Sequence, residues 1–224
     1  MSHKLIRGKI SYIHNHKGET GREWFSVTVM PDGSKTICVH CEMDEDFLLR
    51  DVIWTNGPDG RPIDAYVRLS LKGKFFGAGF FEFKPNFASS VCKDSNGIIL
   101  RQTLPLDQAI DIFGAHPVSG DAMKTSLFDF SGKNRQFFSA ISTSDLPNGA
   151  SGPTMCRREL EFEWLGEEEI SVNAGTFLCR HFRWHFKEFP PIEIWNTGVH
   201  HLPVRIKWEL LSSRYDLVEI KYSN

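Results

Sequence analysis

Apolar and polar residues alternate along most of this chain, the signature of strands with one face in a core and one in water. In residues 159–165, Leu160, Phe162 and Trp164 fall on one side and Glu159, Glu161 and Glu163 on the other. Residues 202–210 repeat the pattern, with Leu202, Val204, Ile206, Trp208 and Leu210 inward, and 216–222 continue it with Val218, Ile220 and Tyr222. Near the start, Phe25, Val27 and Val29 alternate, as do Ile37, Val39, Cys41 and Met43. Turn-forming clusters separate such runs: Pro31-Asp32-Gly33-Ser34, Asn56–Gly60, Asp94–Gly97 and Pro147-Asn148-Gly149. Strands joined by short turns predict a meander of antiparallel neighbours. The loop over 147–153 predicts a long hairpin connection, because strand patterns continue on both sides.

Two segments break the alternation. Residues 75–83 place Phe75, Phe81 and Phe83 on one face with Gly77 and Gly79 between them. Glycines inside a strand mark a bulge, a bend or a close approach over the backbone. The run is therefore either a floor for a flat apolar ligand or a place where the sheet coils and another element packs on it. The second segment is helical in period: Leu106, Ala109, Ile110 and Phe113 are spaced i, i+3, i+4, i+7, and Gly114 follows as a stop. This predicts a helix over about 105–113 inside an insertion of about 104–130, with a weaker helical turn at Asp44–Leu49.

Composition narrows the picture. With 18 Phe, 6 Trp and only 4 Tyr in 224 residues, the chain carries much ring area without polar tips, enough for a filled aromatic core or an apolar cavity. The length fits one large β-domain spanning 1–224. A net charge of −2 with both signs interspersed excludes a nucleic-acid stripe or a polybasic membrane patch. There is no apolar run of membrane-spanning length and no secretory h-region. Five irregularly spaced cysteines then predict reduced thiols in a cytoplasmic protein.

Candidate chemistry is sparse. Cys38, His40 and Cys41 cluster, but on a strand Cys41 points away from the other two, and no second cysteine pair completes a zinc site. His181 and His185 share a strand face at roughly 13 Å, too far to chelate one ion; His200 and His201 point to opposite faces. No metal and no cofactor is implied, and neither a nucleophile elbow nor a phosphate or dinucleotide loop is present. Two groupings remain. In Gly114–Asp121 the chain turns at Gly120, which could bring Asp121 back to His116 as the orienting carboxylate of a general acid–base pair; alternatively Asp121 caps a helical stretch to Phe128. In Thr176–Phe186, Leu178, Phe182, Trp184 and Phe186 form one face and Cys179, His181, Arg183 and His185 the other. That polar face is either solvated or lines the polar end of a cavity.

The motifs Gly175-Thr176-Phe177, Ile194-Trp195 and Leu202-Pro203-Val204-Arg205-Ile206 resemble those of a bacterial family of uncharacterised proteins with a long, strongly curved antiparallel sheet, similar in shape to lipoprotein carriers. The resemblance covers about the last 50 residues and implies a half-open barrel with a concave apolar face. It supplies no catalytic residues. The expected fold is thus all-β, a highly curved sheet or incomplete barrel with one helix covering the concave side. The leading functional expectation is binding of a lipophilic or aromatic small molecule against Phe75, Phe81, Phe83 and Trp195, with His181, Arg183 and His185 at the polar end. The second is a cofactor-free isomerase, dehydratase or other lyase using His116 and Asp121. A scaffold with no internal cavity is the third.

Overall fold

The computed structural model describes residues 3–146 and 148–223. Met1, Ser2, Pro147 and Asn224 lie outside them, and Pro147 begins one of the expected turns. Within the described residues the strands are β1 (Lys4–His14), β2 (Gly18–Val29), β3 (Lys35–Met43), β4 (Leu48–Asn56), β5 (Pro62–Leu71), β6 (Lys74–Lys84), β7 (Phe87–Asp94), β8 (Ile99–Pro105), β9 (Ile112–Gly114), β10 (Arg135–Ser142), β11 (Cys156–Val172), β12 (Gly175–His185), β13 (Ile192–Thr197), β14 (Leu202–Trp208) and β15 (Ser213–Ser223). They form one 15-stranded sheet in the order β8-β7-β6-β5-β4-β3-β2-β1-β15-β14-β13-β12-β11-β10-β9. Every adjacent pair is antiparallel except β9–β10. The first and last strands of the chain, β1 and β15, pair at the middle and join the two meanders.

The sheet curls until its two ends approach. Gln102 of β8 bonds the backbone of Met155 and the hydroxyl of Thr154, just before β11, and Arg157 of β11 reaches the Pro105 carbonyl. The edges do not form a ladder, so the barrel is incomplete. The expected curved antiparallel sheet is what the chain forms.

The helix on the concave side is displaced from its expected position. Residues 106–111 are irregular, and helix α1 is Val118–Met123, followed by a 3-10 turn at Lys124–Leu127. Backbone pairing overrides the helical period: Asp111 N–H bonds the Ser139 carbonyl, and its carboxylate takes both the N–H and the hydroxyl of Ser139. The apolar residues read as a helix face, Ile110 and Phe113, are buried from a loop and a short strand instead. Asp121 does not cap a helix either; α1 begins after Pro117, and Asp121 sits one turn in.

Register shifts move several side chains across the sheet, since one extra residue reverses the alternation. A shift between β5 and β6 makes Phe76 the extra residue, so Phe75 leaves the concave face and lies under Arg68 at 5.1 Å. Phe81 and Phe83 remain inside, packed on Phe113 at 5.6 and 5.3 Å. A shift between β13 and β14 sends Val204 away from the main core into a small cluster with Ile170, Cys179 and Trp195. Leu210 lies in an exposed 3-10 turn rather than in β14. Val218 is the extra residue opposite Lys9 and Ile10, leaving Leu217 as the buried one.

Candidate functional site

A cavity of about 710 Å³ opens in the concave side between α1 and the strands β10–β15. This lies within the size range of small-molecule sites. One wall is aromatic: Trp184 and Phe186 are 4.6 Å apart, and Phe186 stacks on Trp208 at 6.1 Å. Ile192 and Ile206 continue it, and Phe189 stands exposed nearby. On the β6 side of the barrel Phe81, Phe83 and Phe113 pack together in the core.

A polar part of the lining is built around α1. That helix is pinned at both ends by buried side chains, from strands β2 and β13 and from the turn before β14. At its start, Glu23 accepts hydrogen bonds from Val118 N–H at 2.8 Å, Ser119 N–H at 2.9 Å and the Tyr12 hydroxyl at 2.8 Å. Glu23 is on the inward phase of β2 with Phe25 and Val27, which is why it is fully buried. Burial pushes its carboxyl pKa up, while these donors act to lower it. At the other end, Asn196 Nδ2 bonds Thr125 Oγ1 at 2.8 Å and the Ala122 carbonyl at 3.2 Å, and His201 Nδ1 meets Thr125 Oγ1 at 3.1 Å. Burial, and then the positive charge of Arg180, hold the His201 imidazole down at a pKa of about 3.

Held this way, the segment 114–124 presents His116, Asp121 and Lys124 to the cavity. His116 and Asp121, paired in the sequence reading, border the same space but do not bond each other. Asp121 instead receives the Lys124 ammonium at 2.5 Å, and that ammonium lies 4.3 Å from the Trp184 ring centre. Lys124 crosses directly above Gly114, where a Cβ would come within 3.3 Å of Nζ. His116 has φ +71°, a left-handed conformation that non-glycine residues rarely adopt. Its Nε2 is buried with no hydrogen-bond partner among the described residues. Burial first, then the charges of Arg50, Lys124 and Arg158, hold its pKa well below the usual histidine value, so the ring is neutral at pH 7. Tyr215, set edge-on to Tyr12 at 5.0 Å, has its pKa raised by burial to about 12 and completes this wall as a neutral phenol.

Arg50 comes from β4, in phase with the buried Leu48, Val52 and Trp54. Among the described residues its side chain gives one hydrogen bond, 2.6 Å to the Asn148 carbonyl. Gly149 explains how the loop passes so close: a Cβ there would lie 2.2 Å from Arg50 Nη2 and 2.8 Å from the His116 ring, and its φ is +72°. Periodicity carried a usable signal for Glu23 and Arg50, since each is a charged residue at an inward position. Nothing in the sequence marked Lys124, Thr125 or Asn196.

The other expected ligand residues lie elsewhere. His181 bonds Glu193 at 2.5 Å and stacks on Trp195 at 4.3 Å, and Arg183 bonds Glu193 at 2.7 Å. Trp195 gives its indole N–H to Glu168 at 2.6 Å within the small second cluster. These residues bond carboxylates on the face away from the cavity. His185, bonded to Glu163 at 2.8 Å, reaches the cavity rim.

No protein-family model and no curated protein matches the chain. Among solved structures it is similar to a β-barrel-like protein of a domain family of unknown function, DUF1849, from Brucella abortus. That match has TM-score 0.59 at 10% identity, covering 100% of this chain and 99% of that one. A DUF1089 family protein from Pseudomonas aeruginosa matches at TM-score 0.47 and 9% identity over 84% of this chain and 90% of that one. No helix among the described residues is long and apolar enough to cross a membrane. The likeness to the Brucella protein is one of fold: a curved, β-barrel-like antiparallel sheet spanning the whole chain.

Proposed function

We propose that this protein binds an apolar or aromatic small molecule in the cavity walled by Trp184, Phe186 and Trp208. The observation that carries this reading is a cavity of about 710 Å³ beside an aromatic wall on the concave side of the sheet. Burying ~200 Å² of ligand apolar area there contributes on the order of 5 kcal/mol before entropic losses. The five cysteines are all unpaired, in keeping with a reducing, cytoplasmic setting.

The test is titration with the neutral fluorophore N-phenylnaphthylamine. Saturable binding at one site, weakened at least fivefold by Trp208→Ala, supports the proposal. No saturable enhancement, with the wild-type protein folded, refutes it. A second reading, a cofactor-free proton-transfer enzyme, draws on the neutral His116 with its unpartnered Nε2. Here His116→Ala abolishes turnover of a substrate that binds the cavity while the fold survives.

A further inference from the structure

Resting on that reading, we infer that the ligand carries an anionic head, a carboxylate, which Arg50 receives at the polar wall beside His116 and Lys124. Three independent features of the geometry lead there. Arg50 is only 2% exposed, yet borders the cavity and, among the described residues, spends one hydrogen bond, on a backbone carbonyl. A guanidinium has five donors, and among the described residues no carboxylate lies within ion-pair distance of this one. A buried charge so placed is costly unless something compensates it.

The surrounding charge points the same way. Six cationic and four carboxylate side chains border the cavity. Lys124, Arg135 and Arg158 already hold Asp121, Glu161 and Asp145 respectively, so among the described residues Arg50 is the buried cation left uncompensated at the cavity. Finally, His116, whose ring is neutral, borders the same cavity as Arg50, so no second charge competes with the guanidinium on that side. A carboxylate on the cavity side of Arg50 takes the guanidinium N–H donors that the Asn148 carbonyl leaves free. The apolar body of the ligand then lies along Trp184, Phe186 and Trp208. A basic pocket floor below an aromatic wall selects an amphiphilic acid over an equally apolar neutral molecule.

The experiment is displacement of bound N-phenylnaphthylamine by decanoate and by decanol, which share a chain and differ in the head. Decanoate is expected to displace it with an affinity about tenfold or more above that of decanol. The ratio of the two affinities should fall to twofold or less in Arg50→Met. If that variant does not fold, as judged by circular dichroism, the same collapse is read in Lys124→Met, which removes the neighbouring positive charge. Equal displacement by acid and alcohol in the wild type overturns this inference and leaves the apolar site standing. An acid preference that survives both substitutions also overturns it. Failure of the fluorophore to bind the wild type overturns the underlying reading instead.

Discussion

His201 offers the sharpest quantitative test of how α1 is held. Its pKa of about 3 in the folded protein lies far below the value of about 6.5 expected in the unfolded chain. The folded state therefore resists protonation while the unfolded state accepts it. Stability attributable to this group is complete above pH ~7 and is lost as pH falls below ~6.5, down to the folded value. Between pH 7.5 and 5.0 the linkage amounts to about 2 kcal/mol, or roughly thirtyfold in the unfolding equilibrium. The perturbation is His201→Asn, chosen because Asn tolerates the φ of +52° at this position and can still meet Thr125 Oγ1. The assay is urea unfolding of both proteins at the two pH values. The wild type should lose about 2 kcal/mol more than the variant on acidification. His116 pulls in the same direction in both proteins, so it cancels in the difference. Equal losses would mean that His201 is not a buried neutral anchor, and the account of the helix's C-terminal attachment would fail.

Other substitutions probe the remaining supports. Glu23→Gln replaces one acceptor oxygen with a donor facing the N-terminus of α1, and should cost about 1–3 kcal/mol in denaturant unfolding; a change under half of that contradicts the anchoring role. Gly149→Ala places a methyl against Arg50 and His116 in a left-handed conformation, so a lowered melting temperature and weakened fluorophore binding are expected together. Phe81→Ala empties a filled core position and should destabilise by about 3–5 kcal/mol. It should leave the fluorophore's affinity within about twofold, and a large affinity loss would move the cavity to the β6 side.

Much of the scaffold is readable from residue order. Alternation in 159–165 marks β11, and the turn clusters at 31–34, 56–60 and 94–97 mark hairpins, because side-chain direction along a strand and the φ demands of a turn are local properties. Curvature followed from the resemblance of the last third. Local rules fail where a bulge intervenes: Phe75, Val204 and Val218 each sit beside a register shift that no spacing announces. The helix is a similar case. Residues 106–113 have the period, yet the ladder between Asp111 and Ser139 captures them, and Val118–Met123 becomes helical where Glu23 supplies its cap from 95 residues away.

The candidate site divides along the same line. His116 and Asp121 were visible as a polar pair in one loop, and tertiary structure puts both on one cavity. It also gives Asp121 to Lys124 and brings Arg50 in across the barrel. His181, Arg183 and Trp195 could equally face in or out by sequence, and the sheet's coiling turns them outward onto Glu193 and Glu168. The sequence alone determined that the chain would pair as a one-face-buried antiparallel sheet, since that depends on nearest neighbours. Which part of the enclosed space is filled and which stays open depends on contacts between residues about a hundred positions apart, such as Arg50 with Asn148 and Glu23 with Val118, and only the folded sheet brings those together.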